Sequence, residues 1–125
     1  MTQTIPDNSS THTNANTDTE TAAASATNRT HHQAIRSYKN HTPVTGERVY
    51  IDPAAVVIGD VQLGDHCSVW PCAVIRGDMH QIRIGHRTSV QDGAILHITH
   101  AGQFNEAGWP LIIGDDVTIG HSVNL

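Results

Sequence analysis

Ten histidines are scattered along this chain of 125 residues, and two of them, His97 and His121, are singled out by what surrounds them. Imidazole titrates near neutral pH and is a frequent metal ligand. Close to this pair in the chain stand Arg76, Asp78, Gln91 and Asp92. Arginine offers a planar donor fork that matches a carboxylate, so Arg76 with either aspartate could form an ion pair beside the histidines. A lone histidine is more often solvated or structural than a ligand. His66, His80 and His86 fall at outer or turn positions with no partner implied by spacing, and the pair His31-His32 reads as solvated.

A six-residue beat must position these groups. Val57, Leu63, Val69 and Ile75 recur at six-residue intervals, and the beat resumes at Ile84, Val90 and Leu96 and again at Ile113, Ile119 and Leu125. The fourth residue after the beat is small or apolar in most rungs: Val61, Cys67, Ala73, Thr88, Ala94, Val117 and Val123. A glycine follows the beat residue at Gly64, Gly85, Gly114 and Gly120. No α-helix has this period; hexapeptide repetition is the signature of a parallel β-helix. Each hexapeptide makes one side of a triangular prism, with the beat and small residues pointing inward.

Two breaks interrupt the beat. Ile75 to Ile84 is nine residues and Leu96 to Ile113 is seventeen. The second break predicts a projecting loop over Thr99 to Pro110, holding Phe104, Glu106 and Trp109, and loops on a rigid scaffold often carry function. With the extra residues set aside, Arg76 and His97 both follow a beat residue, one coil apart on the same side. Stacked strands lie about 4.8 Å apart, so these two belong to one column. The next position of that column is number 126, one past Leu125. His121 stands two after its beat residue, on the preceding side, and is placed to reach a neighbouring subunit rather than His97 of its own chain.

Residues 1–42 are rich in Thr, Asn, Ser, Ala and His and hold few large apolar side chains, too few to offset chain entropy. They read as a disordered tail, with three glycosylation-like triplets that fit chance in such a tract. The ordered domain is expected over 43–125, opening with a short strand near Arg48 to Ile51. The formal charge is −5, which leaves no electrostatic footprint for nucleic acid. Cys67 and Cys72 are too few for a disulfide framework; Cys67 is expected in the core and Cys72 on a turn. Free thiols and the lack of a signal pattern point to the cytoplasm, and no apolar run is long enough to span a membrane.

Residues 56–125 closely resemble the gamma-class carbonic anhydrase-like family of hexapeptide-repeat proteins. The matching words are Ser68-Val69-Trp70-Pro71, Ile75-Arg76-Gly77-Asp78, Ser89-Val90-Gln91-Asp92-Gly93, Leu96-His97 and Ile113-Gly114-Asp115-Asp116-Val117-Thr118-Ile119-Gly120-His121. The resemblance implies an all-β, left-handed parallel β-helix, an exception to the right-handed crossover rule. It implies a homotrimer with zinc at each subunit interface, where Fe2+ or Co2+ could also use histidine ligands. It makes His97 a ligand from one subunit and His121 one from its neighbour. A third ligand is expected five residues after His121, just beyond Leu125, so the chain reads as a fragment in which metal binding is weak and the last coil exposes an unpaired edge. The implied reaction is reversible hydration of CO2 to bicarbonate, for which zinc lowers the pKa of water to about 7. Gln91 is then assigned to orienting substrate, and Arg76 with Asp78 to an inter-subunit ion pair beside the site.

The sequence departs from the best-studied active pattern at Met79, which stands where that pattern has a catalytic glutamate. Methionine transfers no proton, so His100 or Glu106 of the projecting loop becomes the expected relay. Two other readings stay open. Many hexapeptide β-helices are acyltransferases using acyl-CoA, with a catalytic histidine in a groove between subunits; a non-catalytic metal-binding or assembly trimer is the other.

Overall fold

The computed structural model describes residues 33–125, so the triplets at Asn8 and Asn28 and the pair His31-His32 lie outside the described residues. Ten short strands run through this part: β1 (Ile35–Arg36), β2 (Val44–Thr45), β3 (Tyr50–Ile51), β4 (Val56–Leu63), β5 (Ser68–Val69), β6 (Val74–Ile84), β7 (Ser89–Val90), β8 (Ile95–Leu96), β9 (Leu111–Ile113) and β10 (Thr118–Ile119). All strand pairs are parallel. The fold is the left-handed parallel β-helix that the beat requires.

Three faces follow from the register. The first stacks β1, the start of β4, the start of β6, and β8. The second stacks β2, the end of β4, the end of β6, and β9. The third stacks β3, β5, β7 and β10. β4 and β6 bend from the first face to the second without breaking, and glycines allow it. Gly59 sits at φ +83°, and a Cβ there would lie 2.2 Å from the carbonyl oxygen of Gly77 in the next coil.

Most beat residues form the core, with Ile113 only partly buried against it. Val57, Val69, Ile75 and Leu96 are wholly buried, as are the small residues Ala73 and Ala94. Thr88 takes a core position because its hydroxyl is satisfied there, donating to the Gly114 carbonyl at 2.9 Å and accepting from the Val117 amide. Coverage thins in the last coil, where Leu125 is 52% exposed. Cys67 is buried and Cys72 exposed; Cys72 occupies a turn at φ +61°.

The ladder begins earlier than composition indicates. Ile35 pairs with Val57 and Arg36 with Ile58, inside the 1–42 stretch expected to be tail. The spacing hid this rung: Ile35 lies twenty-two residues before Val57 rather than eighteen, because a tight turn at Tyr38–His41 adds four. Among the described residues no helix is long and apolar enough to cross a membrane.

Candidate functional site

The parallel ladder builds the first cluster. Val74 and Ile75 pair with Ile95 and Leu96, so the next residues, Arg76 and His97, stack in one column. Three extra residues, Asp78–His80, bulge from β6 where β4 has only Asp60. The bulge turns Asp78 back over the column. There its carboxylate accepts from Arg76 Nη1 at 2.5 Å and pairs with His97 Nε2 at 2.9 Å. Arg76 is half exposed, while Asp78 keeps only 15% of its side-chain surface. Burial opposes the charge on Asp78, but the hydrogen bond from His97 and the charge of Arg76 outweigh it and hold the carboxyl below its ordinary value. Within one chain Arg76 and Asp78 pair directly.

A second cluster forms at another corner, after the third face. Asp92 and His121 each stand two residues past paired positions Val90 and Ile119, and His121 Nδ1 lies 3.3 Å from Asp92 Oδ2. Asp92 thus faces an imidazole, not an arginine. Gln91 precedes it with its backbone amide bound to Ile119, and its side chain makes no hydrogen bond among the described residues. His121 is exposed.

The projecting loop is closed by an antiparallel bridge between Thr99 and Trp109, with a second bridge from Gly102 to Asn105 inside it. It carries an apolar cavity of about 270 Å³ lined by Thr99, His100, Phe104 and Trp109 among others. His100 is at this cavity and Glu106 is exposed on the loop; no hydrogen bond links either to His97 among the described residues.

Sequence spacing missed the partners of two histidines. His86 Nδ1 accepts the Asp65 amide at 2.9 Å, one step of a corner ladder. In the same column Asp65 caps the Glu47 amide and Asp115 caps the His86 amide. His80 Nε2 lies 3.1 Å from the Ala107 carbonyl oxygen. The three-residue excess in the beat was the available signal for the bulge that carries Asp78 and His80.

The chemistry of the donor set bears on metal. Among the described residues no three His, Cys, Asp or Glu side chains of one chain are grouped to hold an ion. His97 and His121, however, each have one ring nitrogen against an aspartate, and the other makes no hydrogen bond among the described residues. A carboxylate on one imidazole nitrogen is the usual support for a metal-ligating histidine. The residues fit a site to which one chain gives only part.

Residues 42–77 match the family model described as bacterial transferase hexapeptide (six repeats). Protein YrdA of Escherichia coli is 53% identical over 91 residues, covering 73% of this chain and 50% of that protein. Gamma carbonic anhydrase 2, mitochondrial, of Arabidopsis thaliana is 36% identical over 91 residues, covering 73% of this chain and 32% of that protein. This chain is a hexapeptide-repeat β-helix similar in sequence to the gamma carbonic anhydrases. A crystal structure of a hexapeptide transferase family protein from Anaplasma phagocytophilum superimposes with a TM-score of 0.62 at 33% identity, over 74% of this chain and 49% of that one. The chain spans half or less of the length of these curated relatives.

Proposed function

We propose that this chain forms part of a zinc centre that hydrates CO2 reversibly to bicarbonate, with the metal held between copies of a homotrimer. The observation that carries this reading is the Asp78–His97 hydrogen bond at one corner, with the exposed His121 ring 3.3 Å from Asp92 at another. The two histidines stand at different corners of the prism, so a site using both draws them from two subunits. The His97 amide donates to the Leu125 carbonyl at 3.0 Å, so a position following Leu125 in the ladder stacks on His97, the register of the family's third ligand.

Bound zinc supplies a nucleophile from water near neutral pH. The chain's own groups do the rest. Asp78 fixes the ring orientation of His97, and Asp92 stands beside His121. Arg76 keeps Asp78 ionised. The uncommitted amide of Gln91 orients CO2. Met79 moves no proton, so His100, which lines the loop cavity, or Glu106 carries it to solvent.

The test is zinc content and stopped-flow CO2 hydration in the protein carrying this segment. His97→Ala and His121→Ala should each lose metal and activity. Mixing the two variant subunits should restore some of both, because one interface then has both histidines. Full zinc content in both variants would defeat the reading. An acyltransferase reading is favoured by the structural match to a hexapeptide transferase family protein; activity that survives chelation and needs acyl-CoA would establish it instead.

A further inference from the structure

Among the described residues the repeat leaves its six-residue period three times, and all three departures fall at the corner between the first and second faces. The turn Tyr38–His41 lies between β1 and β2, which stack on the two halves of β4. The bulge Asp78–His80 lies between the two halves of β6. The loop closed by Thr99 and Trp109 lies between β8 and β9, which stack on the same two halves of β6. In stacked-repeat proteins insertions gather on one face, which is often the face that binds.

Between the first two insertions is a cavity of about 200 Å³, with Lys39 and His41 on one side and Asp60, Asp78, Met79 and His80 on the other. Its two carboxylates are already engaged by groups outside its lining. Arg83 Nη1 lies 2.7 Å from Asp60 Oδ1, and Asp78 holds Arg76 and His97. His80 is committed through both ring nitrogens, one accepting from the Gln81 amide and one against the Ala107 carbonyl. Lys39 has no carboxylate within ion-pair distance among the described residues; its ammonium lies 5.3 Å over the Tyr38 ring. His41 only grazes Asp60, at 4.0 Å. The fixed charges of Lys39, Arg76 and Arg83 therefore exceed those of Asp60 and Asp78 by one.

We propose that this cavity binds a small oxyanion, bicarbonate or a short carboxylate, through Lys39 and His41, with Met79 against its apolar side. The space suits a molecule of a few heavy atoms. Asp78 is a wall shared with the His97 cluster, so the occupant sits one carboxylate away from the candidate metal ligand.

The chain has two methionines, Met1 and Met79, which makes a methyl-labelled NMR titration simple to read. Sodium bicarbonate and sodium acetate are each titrated against sodium chloride at equal ionic strength. The Met79 methyl should shift saturably with the bicarbonate or carboxylate salt and not with chloride. Lys39→Gln and His41→Ala, both on an exposed turn, should each weaken the midpoint about tenfold, the loss of one charged hydrogen bond, with the melting temperature unchanged. Saturation by bicarbonate alone identifies the occupant as the product of the proposed reaction; saturation by acetate as well identifies a free carboxylate. No saturation with either salt, or an unchanged midpoint in both variants, overturns the proposal. The readout uses neither metal nor turnover, so it fails independently of the CO2 reading.

Discussion

Ile75→Ala tests whether the beat residues hold the prism together. Ile75 is wholly buried, stacked between Val57 below and Leu96 above. Truncation removes three carbons, a transfer loss of roughly 2.4 kcal/mol at about 0.8 per methylene. The neighbouring inward residues, Ala73 and Ala94, are too small to fill the gap, so a cavity term adds to the loss. The total should be about 3–4 kcal/mol, within the range of buried Ile→Ala changes. A folded part spanning residues 33–125 has about 5–14 kcal/mol of stability, so this change removes a large share. Urea unfolding followed by tryptophan fluorescence should show the midpoint falling by about 1.5–2 M for a slope near 2 kcal/mol/M. Phe104→Ala, at a side chain 94% exposed, is the control and should change stability by less than about 0.5 kcal/mol. If Ile75→Ala costs under about 1 kcal/mol, or no more than Phe104→Ala, the beat is not what holds the fold.

Gly64→Ala should destabilise by about 1–3 kcal/mol in the same urea assay, as over-packing does, because its new Cβ would lie 2.8 Å from backbone atoms of Gly85 and His86. Acid should weaken the corner where Arg87 grips Asp116 at 2.7 and 2.8 Å. The hydrogen bond from Arg87 outweighs desolvation and depresses the Asp116 carboxyl, so its contribution is full above the ordinary carboxylate range and lost as pH falls through the folded value. Melting temperatures of wild type and Asp116→Asn should therefore differ at pH 7 and converge in strong acid; a gap that persists in acid would contradict this. One thiol per chain should react fast with a disulfide reagent in the native state. Cys72 is exposed, whereas Cys67 is buried and burial pushes its thiol up, so Cys72→Ser should abolish the fast phase.

The core was legible because it is periodic. Each beat residue announces itself by spacing, and the excess residues at Ile75–Ile84 and Leu96–Ile113 give insertion lengths directly. The Arg76–His97 column followed from the same count. The corners were less legible. Asp78 joins His97, and His86 joins the Asp65 amide, across nineteen and twenty-one residues of chain; such pairings depend on how side chains lean between coils, which period alone does not specify. Ile35 escaped for the opposite reason, since four inserted residues moved it out of phase with no second apolar rung nearby to reset the count.

The parallel ladder also makes the molecule mechanically anisotropic. Inter-strand hydrogen bonds run along the prism axis, while the covalent chain runs around it. A pull along the axis loads only hydrogen bonds and side-chain stacking, and it loads one coil's worth at a time, because each coil touches only its neighbours. A squeeze across the prism is resisted instead by covalent turns and by a close-packed interior. Stretched end to end, the rod should peel coil by coil in steps of about eighteen residues near Ile51–Val69 and longer ones where an insertion adds slack, as between Ser89 and Thr118.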